Sequence, residues 1–570
     1  MTNERARSGQ AIKVLAIAGF ALLAVASAAW SGIPYGNDLT QHYQFAATVS
    51  EALARGEYYP SLSPEANGGV GDYGFRFYPP LAYYALALAF KIVGSWFWAS
   101  IVAFFAVFFA GGLGIYLWVR DDFTDSQALI AAALFVFAPY HLNQIYNNFL
   151  FAEFAASAVI PFCFLFLHRT AKEPSVRSAA GLALSYGLLI VTHLPSLIFC
   201  SIAFAVYGLV VMYRCGTFLK AVPALAAAVG LAIAATSFYW IKLVTELEWL
   251  NHADSEYFSN IYGYANNFLL NPNSIANAGT DVLAIWMGDL MLLAMFVVAI
   301  PTIVLLVRER ERSQPAVAAS LAVSGCAVFM ASILSKPLWD YIGFLQNIQF
   351  PWRWMGVVSA AGAVFASLGI HRATRKASKD PGVLLKAVVA VGALIFTVSA
   401  VFITKQSVFI SSGDFTNEKV SAMLSDPSRD CWWTVWAKDG FYRLGENKVT
   451  AEGRGIRVRR WDTLEKQVGF APGPEADAVF AVQFYPHWLA FADDRQVETS
   501  PTGEGLLKVT VPRNATSVTL RFREPDTVRT AAVVSASAFA LIAFALVLSL
   551  VRRTFRQRRD EDRNRRRLNE

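Results

Sequence analysis

Long apolar runs recur along the whole chain, and they constrain its fold more than any other feature. About twelve of these runs approach or reach the ~20 residues that a helix needs to cross a hydrocarbon core. They lie at residues 12–30, 97–119, 127–146, 154–167, 178–193, 195–213, 221–243, 282–307, 315–334, 354–370, 383–404 and 531–551. Hydrophobic residues make up 55% of the 570 and charged residues only 16%, with a mean hydropathy of +0.41. The sequence therefore predicts a mainly α, polytopic membrane protein of about 12 transmembrane helices.

The first run allows two interpretations. Ala26-Ser27-Ala28 fits the small-residue pattern of a signal-peptidase site, so a cleaved leader is one alternative. The apolar character continues through Trp30 to a full spanning length, which favours a retained first helix. In both cases the loop that follows is expected to lie outside.

Basic residues orient the helices. Leu81–Gly94 is apolar but has only about 14 residues and contains Lys91, so it is predicted to be an interfacial helix. With this segment outside the membrane, the basic loops after Arg120 and Arg308 and the tail from Arg552 all fall on the side of the N-terminus. The positive-inside rule then places both termini in the cytoplasm. Topology thus accounts for the net charge of +7, and no nucleic acid is implied.

The chain is expected to divide into four parts. Residues 1–404 form the transmembrane domain, whose first outer loop is 31–95, and residues 405–529 form a periplasmic β-rich domain. Residues 530–551 form the last transmembrane helix, and 552–570 form a basic cytoplasmic tail. The outer block alternates apolar and polar residues, as in Leu507, Val509 and Val511, between turn clusters such as Pro472-Gly473-Pro474. This pattern predicts a small β-sandwich.

Asp38 is the first candidate for chemistry. It opens a helical pattern in the first outer loop, where a carboxylate is well placed for catalysis at the membrane surface. Gln41 follows three residues later, so the pair also fits a capping box in which Asp38 only caps the helix. The local sequence leaves both interpretations open.

Three more charged residues lie at apolar boundaries. Glu153 stands at the edge of an apolar run, where an acid is costly enough to indicate a role, although an interfacial position is the alternative. Arg353, between Trp352 and Trp354, has the planar fork that binds phosphate, or it anchors the helix end among interfacial aromatics. Arg76 in its aromatic segment carries the same two interpretations.

Other residue types give weaker signals. His42 and Tyr78 are candidate substrate-binding residues close to the charged set, while a structural role is the default for His42 and for His193. The five cysteines have no CxxC spacing, so neither a disulfide framework nor a metal site is predicted. Nucleotide-binding loops and hydrolase motifs are also missing from the sequence.

The ordered motifs resemble those of GT-C superfamily membrane glycosyltransferases, and specifically the bacterial proteins labelled as 6-pyruvoyl-tetrahydropterin-synthase-related membrane proteins. The resemblance covers nearly the whole chain. It is carried by Asp38 with its helix, the turn at Gly56–Pro60, and the segments Phe77–Tyr84, Pro139–Leu142 ahead of Glu153, Thr192–Pro195, Gln349–Arg353 and Phe484–Asp494. The pterin label fits poorly, since a soluble pterin synthase needs a zinc-binding histidine set that seven scattered histidines do not supply.

The resemblance implies a glycosyltransferase that uses a polyprenyl-phosphate sugar as donor and a cell-envelope glycan or glycolipid as acceptor. It implies an inverting reaction on the periplasmic face of a bacterial inner membrane, with Asp38 as base and Glu153 as a second acid. Arg353 and Arg76 are phosphate-binding candidates from their chemistry, joined by His42 and Tyr78. No cofactor is implied, and a divalent metal is compatible but not required, because the loop has Asn37-Asp38 in place of Asp-x-Asp.

Two other classes remain open. A lipid or glycan transporter or flippase would also need about a dozen helices, although no internal repeat is visible. A non-catalytic envelope assembly protein would use the β-sandwich to bind glycan. The position of Asp38 relative to Glu153 separates an enzyme, which needs one outer site, from a carrier, which needs a polar path near the midplane.

Overall fold

A computed structural model gives the architecture, and it describes residues 2–252, 262–271, 285–286, 288–294, 314–374 and 383–569. Most of these residues are helical. The helices are α1 (Thr2–Ser31), α2 (Leu39–Ala54), α3 (Gly74–Phe77), α4 (Leu81–Val93), α5 (Trp96–Val119), α6 (Asp125–Val136), α7 (Pro139–Tyr146), α8 (Phe151–Lys172), α9 (Val176–Ile190), α10 (Leu194–Cys215), α11 (Phe218–Ala235), α12 (Ser237–Glu246), α13 (Pro315–Ala331), α14 (Lys336–Tyr341), α15 (Gly343–Gln346), α16 (Met355–Thr374), α17 (Val383–Gln406), α18 (Asn417–Met423) and α19 (Asp526–Asn569).

Within the described ranges, 9 helical segments are long and apolar enough to cross a membrane. They are Gly9–Ser31, Trp96–Val119, Asp125–Tyr146, Phe151–Lys172, Leu194–Cys215, Phe218–Ala235, Pro351–His371, Val389–Gln406 and Asp526–Arg552. Two further predicted runs form the shorter helices α9 and α13, and the predicted run 282–307 lies mostly outside the described residues. The expectation of a polytopic helical protein is confirmed.

Helix α4 is short, as its sequence predicts. Its 13 residues extend about 20 Å, well under the ~30 Å of a hydrocarbon core. It ends at Gly94, whose φ of 72° lies in the left-handed region that glycine adopts without strain. The interfacial assignment of this helix stays a prediction.

Two predicted runs are broken in the structure. Residues 127–146 form α6 and α7, separated at Phe137 and Ala138 because Pro139 starts a new helix at its first position. Residues 221–243 are interrupted at Thr236, between α11 and α12. The first break turns α7, whose eight residues are all buried, toward the start of α8.

The outer block contains two antiparallel sheets, which confirms the predicted β-rich region. Its strands are β3 (Val449–Ala451), β4 (Ile456–Trp461), β5 (Glu465–Phe470), β6 (Ala476–Gln483), β7 (Trp488–Ala492), β8 (Arg495–Val497), β9 (Thr499–Pro501), β10 (Leu506–Val511) and β11 (Ser517–Phe522). The four-stranded sheet has the order β3-β6-β10-β9, and the five-stranded sheet has the order β4-β5-β11-β7-β8. Leu507, Val509 and Val511 are buried on one face of β10, so the alternation in the sequence marks the core.

The first loop packs directly against these sheets. Tyr73 donates a hydrogen bond to the carbonyl oxygen of Gln483 (3.0 Å), accepts one from Trp488 Nε1 (2.8 Å) and stacks on Tyr485 with ring centroids 4.1 Å apart. A second connection joins β1 (Ile33–Pro34) to β2 (Phe409–Ile410), which follows α17. The first loop is therefore enclosed between the helices and the β-sandwich.

Candidate functional site

Asp38 lies at the N-terminus of α2, but its side chain makes no capping hydrogen bond there. Its Oδ1 instead accepts a hydrogen bond from Arg429 Nη2 at 2.7 Å, and the same nitrogen donates to the Asn37 carbonyl oxygen at 2.6 Å. The Asp38 side chain keeps 22% of its surface exposed. The capping interpretation therefore has no hydrogen bond to support it, and the carboxylate is bound by Arg429 of the outer block.

Glu153 and Arg353 form a buried ion pair. Arg353 Nε donates to Glu153 Oε2 at 2.9 Å, and their side chains are 7% and 2% exposed. Tyr140 and Gln144, both on α7, donate to the other oxygen of Glu153. A buried carboxylate of this kind is tolerated because both of its oxygens have donors.

The Arg353 guanidinium is fixed on one side only. Its Nη1 donates to the Ile348 carbonyl oxygen at 2.5 Å, and its Cζ lies 4.7 Å from the centre of the Phe350 ring. Within the described part of the chain, Nη2 donates no hydrogen bond. This nitrogen can therefore donate to a bound anion.

The backbone near these residues is held in uncommon conformations. Phe149, four residues before Glu153, has φ = 51°, and Gln349, four residues before Arg353, has φ = 67°. Non-glycine residues rarely adopt positive φ, and such positions cluster at functional sites. Gly36 approaches the first of these segments so closely that a Cβ would lie 2.5 Å from the carbonyl carbon of Asn148. This contact joins the loop of Asp38 to the segment that precedes Glu153.

Tyr78 lies where these charges converge. Burial raises the pKa of Tyr78, the Asp38 and Glu153 carboxylates raise it further, and the Arg353 guanidinium lowers it. Its half-buried ring packs against Tyr83 and Trp432 at centroid distances of 5.6 and 5.5 Å. The structure thus brings Asp38, Glu153 and Arg353 together around one tyrosine.

His42 is close to this set but is fully used by the fold. The backbone N–H of Phe151 donates to its Nε2 at 3.2 Å, so its Nδ1 carries the proton and donates to Tyr83 at 2.7 Å. Burial lowers the pKa of His42 to about 4, against a raising effect of Asp38. The imidazole is therefore neutral near pH 7 and positions α2 against α8, so we do not retain it as a phosphate ligand.

Arg76 belongs to a different cluster. Its side chain is fully buried, with Nε 2.6 Å from Glu246 Oε2 and Nη2 2.7 Å from Glu524 Oε2. Two carboxylates already compensate its charge, and a phosphate would have to displace one of them. Arg76 thus connects α3 to α12 and to Glu524, two residues before α19, and we leave it out of the proposed phosphate site.

Sequence reasoning missed several residues of the site. Arg429 comes from the outer block, 391 residues from Asp38, and no local pattern marks it. Asp72 is buried and accepts hydrogen bonds from Ser428 (2.8 Å) and from the Gly74 N–H (2.7 Å), which holds the segment that carries Arg429. The Trp432-Trp433 pair was a visible signal, since an aromatic pair in a polar block is typical of a binding surface.

Polar atoms without partners line the segments around the ion pair. Within the described residues, Gln144 Oε1, Asn148 Nδ2 and Trp352 Nε1 are buried and make no hydrogen bond. Buried polar groups are normally satisfied, so atoms of this kind mark positions where a ligand or water fits. No group of three or more His, Cys, Asp and Glu side chains in the described residues is arranged to hold a metal ion.

The fold and this site define a class: a polytopic membrane protein with charged groups gathered beneath a β-sandwich at one end of its helices. A family model described as "6-pyruvoyl-tetrahydropterin synthase related domain; membrane protein" matches residues 75–407. That match covers more than half of the chain, so the protein belongs to this family. The matched range includes Glu153 and Arg353.

Solved structures give weaker likenesses. The apo oligosaccharyltransferase of Archaeoglobus fulgidus is 14% identical with a TM-score of 0.38, and the match covers 76% of this chain but 57% of that one. ArnT from Cupriavidus metallidurans bound to undecaprenyl phosphate is 14% identical with a TM-score of 0.36, covering 73% of this chain and 77% of that one. Its apo state gives the same identity and TM-score. No curated protein matches significantly. Scores this low do not establish a shared fold, so the site is interpreted from its own geometry.

Proposed function

We propose that the protein is a membrane glycosyltransferase of GT-C type that moves a sugar from a polyprenyl-phosphate donor to a cell-envelope acceptor. The reaction takes place on the periplasmic face. One observation carries this proposal: a partly exposed carboxylate, Asp38, shares a site with a buried arginine, Arg353, whose Nη2 has no hydrogen bond among the described residues. A base and an anion-binding group are the two elements that this chemistry needs.

The proposed reaction is a single displacement. The acceptor hydroxyl attacks the anomeric carbon while Asp38 takes its proton, and the bond from that carbon to the phosphate oxygen breaks with inversion. The electron pair stays on the leaving phosphate. Because this leaving group is already an anion, no general acid is required, and a guanidinium that binds the growing negative charge is sufficient.

Glu153 has a supporting role in this proposal. Its pairing with Arg353 through Nε fixes the guanidinium plane, and the arginine then presents a defined edge to the donor. Arg429 similarly orients Asp38 through Oδ1. The donor is proposed to enter laterally from the membrane, which is the only phase that dissolves a polyprenyl chain.

The test uses purified protein in detergent, with donor lipids extracted from the native membrane and products identified by mass spectrometry. Detergent solution has no second compartment, so a transporter or flippase gives no new product there, whereas a transferase does. A deletion strain is expected to lose one envelope sugar and to regain it with the parent gene. Absence of any transferred sugar in both experiments would refute the enzyme assignment.

Arg353→Lys tests the anion-binding role. Lysine keeps the charge but loses the fork that contacts Glu153 and Ile348 together, so donor use is expected to weaken by about 1–3 kcal/mol. Arg443→Lys is the matched control, because Arg443 lies in the outer block and contacts the Tyr442 ring. An unchanged dependence on donor concentration in Arg353→Ala would leave the residue only its structural pairing with Glu153.

A further inference from the structure

His193 is a buried histidine that the proposed mechanism does not yet use. It lies between α9 and α10, and only 5% of its surface is exposed. Two residues earlier, the Val191 carbonyl oxygen accepts a hydrogen bond from the Leu81 N–H at 2.9 Å, so this turn contacts the segment that follows Tyr78. His193 therefore lies at the same end of the molecule as the charged site.

The capping geometry fixes the tautomer of His193. Its Nδ1 accepts a hydrogen bond from the backbone N–H of Ser196 at 3.3 Å and lies 2.8 Å from the Ser196 hydroxyl. A backbone N–H can only donate, so Nδ1 carries no proton and the proton of the neutral ring is on Nε2. The imidazole is thus held as an N-cap with a donor at its far end.

The far end has no partner in the described part of the chain. His193 Nε2 donates no hydrogen bond there, although only 5% of the surface of the residue is exposed. The charge of Arg353 acts on His193, and the ring of Phe199 on α10 lies 5.8 Å from that of Trp354. The start of α10 and the Arg353 segment are therefore neighbours.

These neighbours form an environment suited to an anion. Helix α10 has 22 residues and begins at Leu194, so the positive end of its dipole is at His193. A neutral N–H donor, a helix N-terminus and the Nη2 of Arg353 are three groups that each favour phosphate oxygens. An acidic ligand bound there would accept a hydrogen bond from the Nε2–H of His193.

We infer that His193 is a second binding group for the donor phosphate, donating from Nε2 to an oxygen that Arg353 does not reach. This inference rests on the proposed function and identifies the recognised chemistry as a phosphomonoester or phosphodiester attached to a lipid. Because His193 donates while neutral, it adds affinity without adding a charge that would pair with Glu153.

Two substitutions separate this role from simple capping. His193→Asn places Oδ1 where Nδ1 was, so the cap is kept, but nothing remains at the Nε2 position. His193→Gln keeps an N–H donor of nearly the same reach and alters the cap. Ser201→Ala is the matched control, because it removes from the same helix α10 a hydroxyl that is bonded to the Leu197 carbonyl oxygen and to Tyr186 of α9.

The assay is the melting temperature of the full chain in detergent, titrated with a polyprenyl phosphate, with neutral polyprenol and with inorganic phosphate. His193→Asn is expected to melt like the parent without ligand and to bind the polyprenyl phosphate about 10- to 100-fold more weakly, as for loss of a hydrogen bond to a charged group. His193→Gln is expected to recover part of that affinity. Binding of inorganic phosphate with equal affinity would show that the lipid is not recognised. It would overturn the inference that the ligand is linked to a lipid.

The outcomes separate this inference from the function on which it rests. If Arg353→Gln weakens polyprenyl-phosphate binding and His193→Asn does not, His193 is only a helix cap and the inference fails alone. An equal loss of polyprenol binding in His193→Asn would also overturn it, since packing and not the phosphate would be responsible. If the parent chain binds no polyprenyl phosphate, the inference and the proposed function both fail.

Discussion

Asp38→Asn separates a chemical role of this carboxylate from a structural one. The substitution keeps the size of the side chain and an oxygen that can accept from Arg429, but it removes the negative charge and the ability to take a proton. Asparagine is also as good an N-cap as aspartate. The variant therefore changes the proposed chemistry while leaving the local geometry nearly intact.

The magnitudes of the two roles differ clearly. The Asp38–Arg429 pair is 22% and 29% exposed, and partly exposed ion pairs contribute about 0–1 kcal/mol to stability. Loss of a general base lowers a rate by about 10²- to 10⁴-fold, which corresponds to about 3–5 kcal/mol of transition-state stabilisation. The structural role predicts a small change in melting temperature and a near-normal rate.

The assay measures the transfer rate and the melting temperature of purified parent and variant side by side. Asp462→Asn is the matched control, because it removes the same charge from an exposed pair with Arg460 in the β-sandwich. We expect both variants to fold and bind donor lipid, with the rate lost only in Asp38→Asn. Transfer by Asp38→Asn at close to the parent rate would refute the mechanism.

Three further predictions concern topology, packing and pH. An impermeant thiol reagent applied to intact cells is expected to label Glu498→Cys and to spare Glu173→Cys, and labelling at Glu173 would reverse the predicted orientation. Gly36→Ala would push a Cβ into the neighbouring backbone, so a loss of about 1–3 kcal/mol in stability and a slower transfer are expected, and an unchanged melting temperature would contradict the close contact. The folded-state pKa of His42 is about 4 against 6.5 when unfolded, so its contribution of about 3 kcal/mol is present above pH 6.5 and is lost as the pH falls to about 4. Burial raises the pKa of Asp72 to about 6, so the contribution of Asp72 to stability falls as the pH rises through the same range. The measurement is therefore the difference in stability between the parent and His42→Gln as a function of pH. A difference that does not change with pH would show that His42 is exposed.

The sequence by itself determined the class of fold. A lipid phase satisfies no backbone hydrogen bonds, so long apolar runs have to become helices, and eleven of the predicted runs do so in the described residues. Alternation in the outer block likewise determined its strands, because side chains in a strand point to opposite faces. The exact division of the chain at residues 404 and 529 stays a prediction. Glu153 and Arg353 were identified from charge at an apolar boundary, and Asp38 from its place at the start of a helical pattern in the first outer loop.

The tertiary structure alone decided what these residues do to one another. Glu153 and Arg353 are 200 positions apart, and Asp38 and Arg429 are 391 apart. Local periodicity carries no information about such pairs, because they depend on how helices and sheets pack. The same long-range packing assigned Arg76 to two carboxylates and both nitrogens of His42 to the scaffold, which their local sequence does not show.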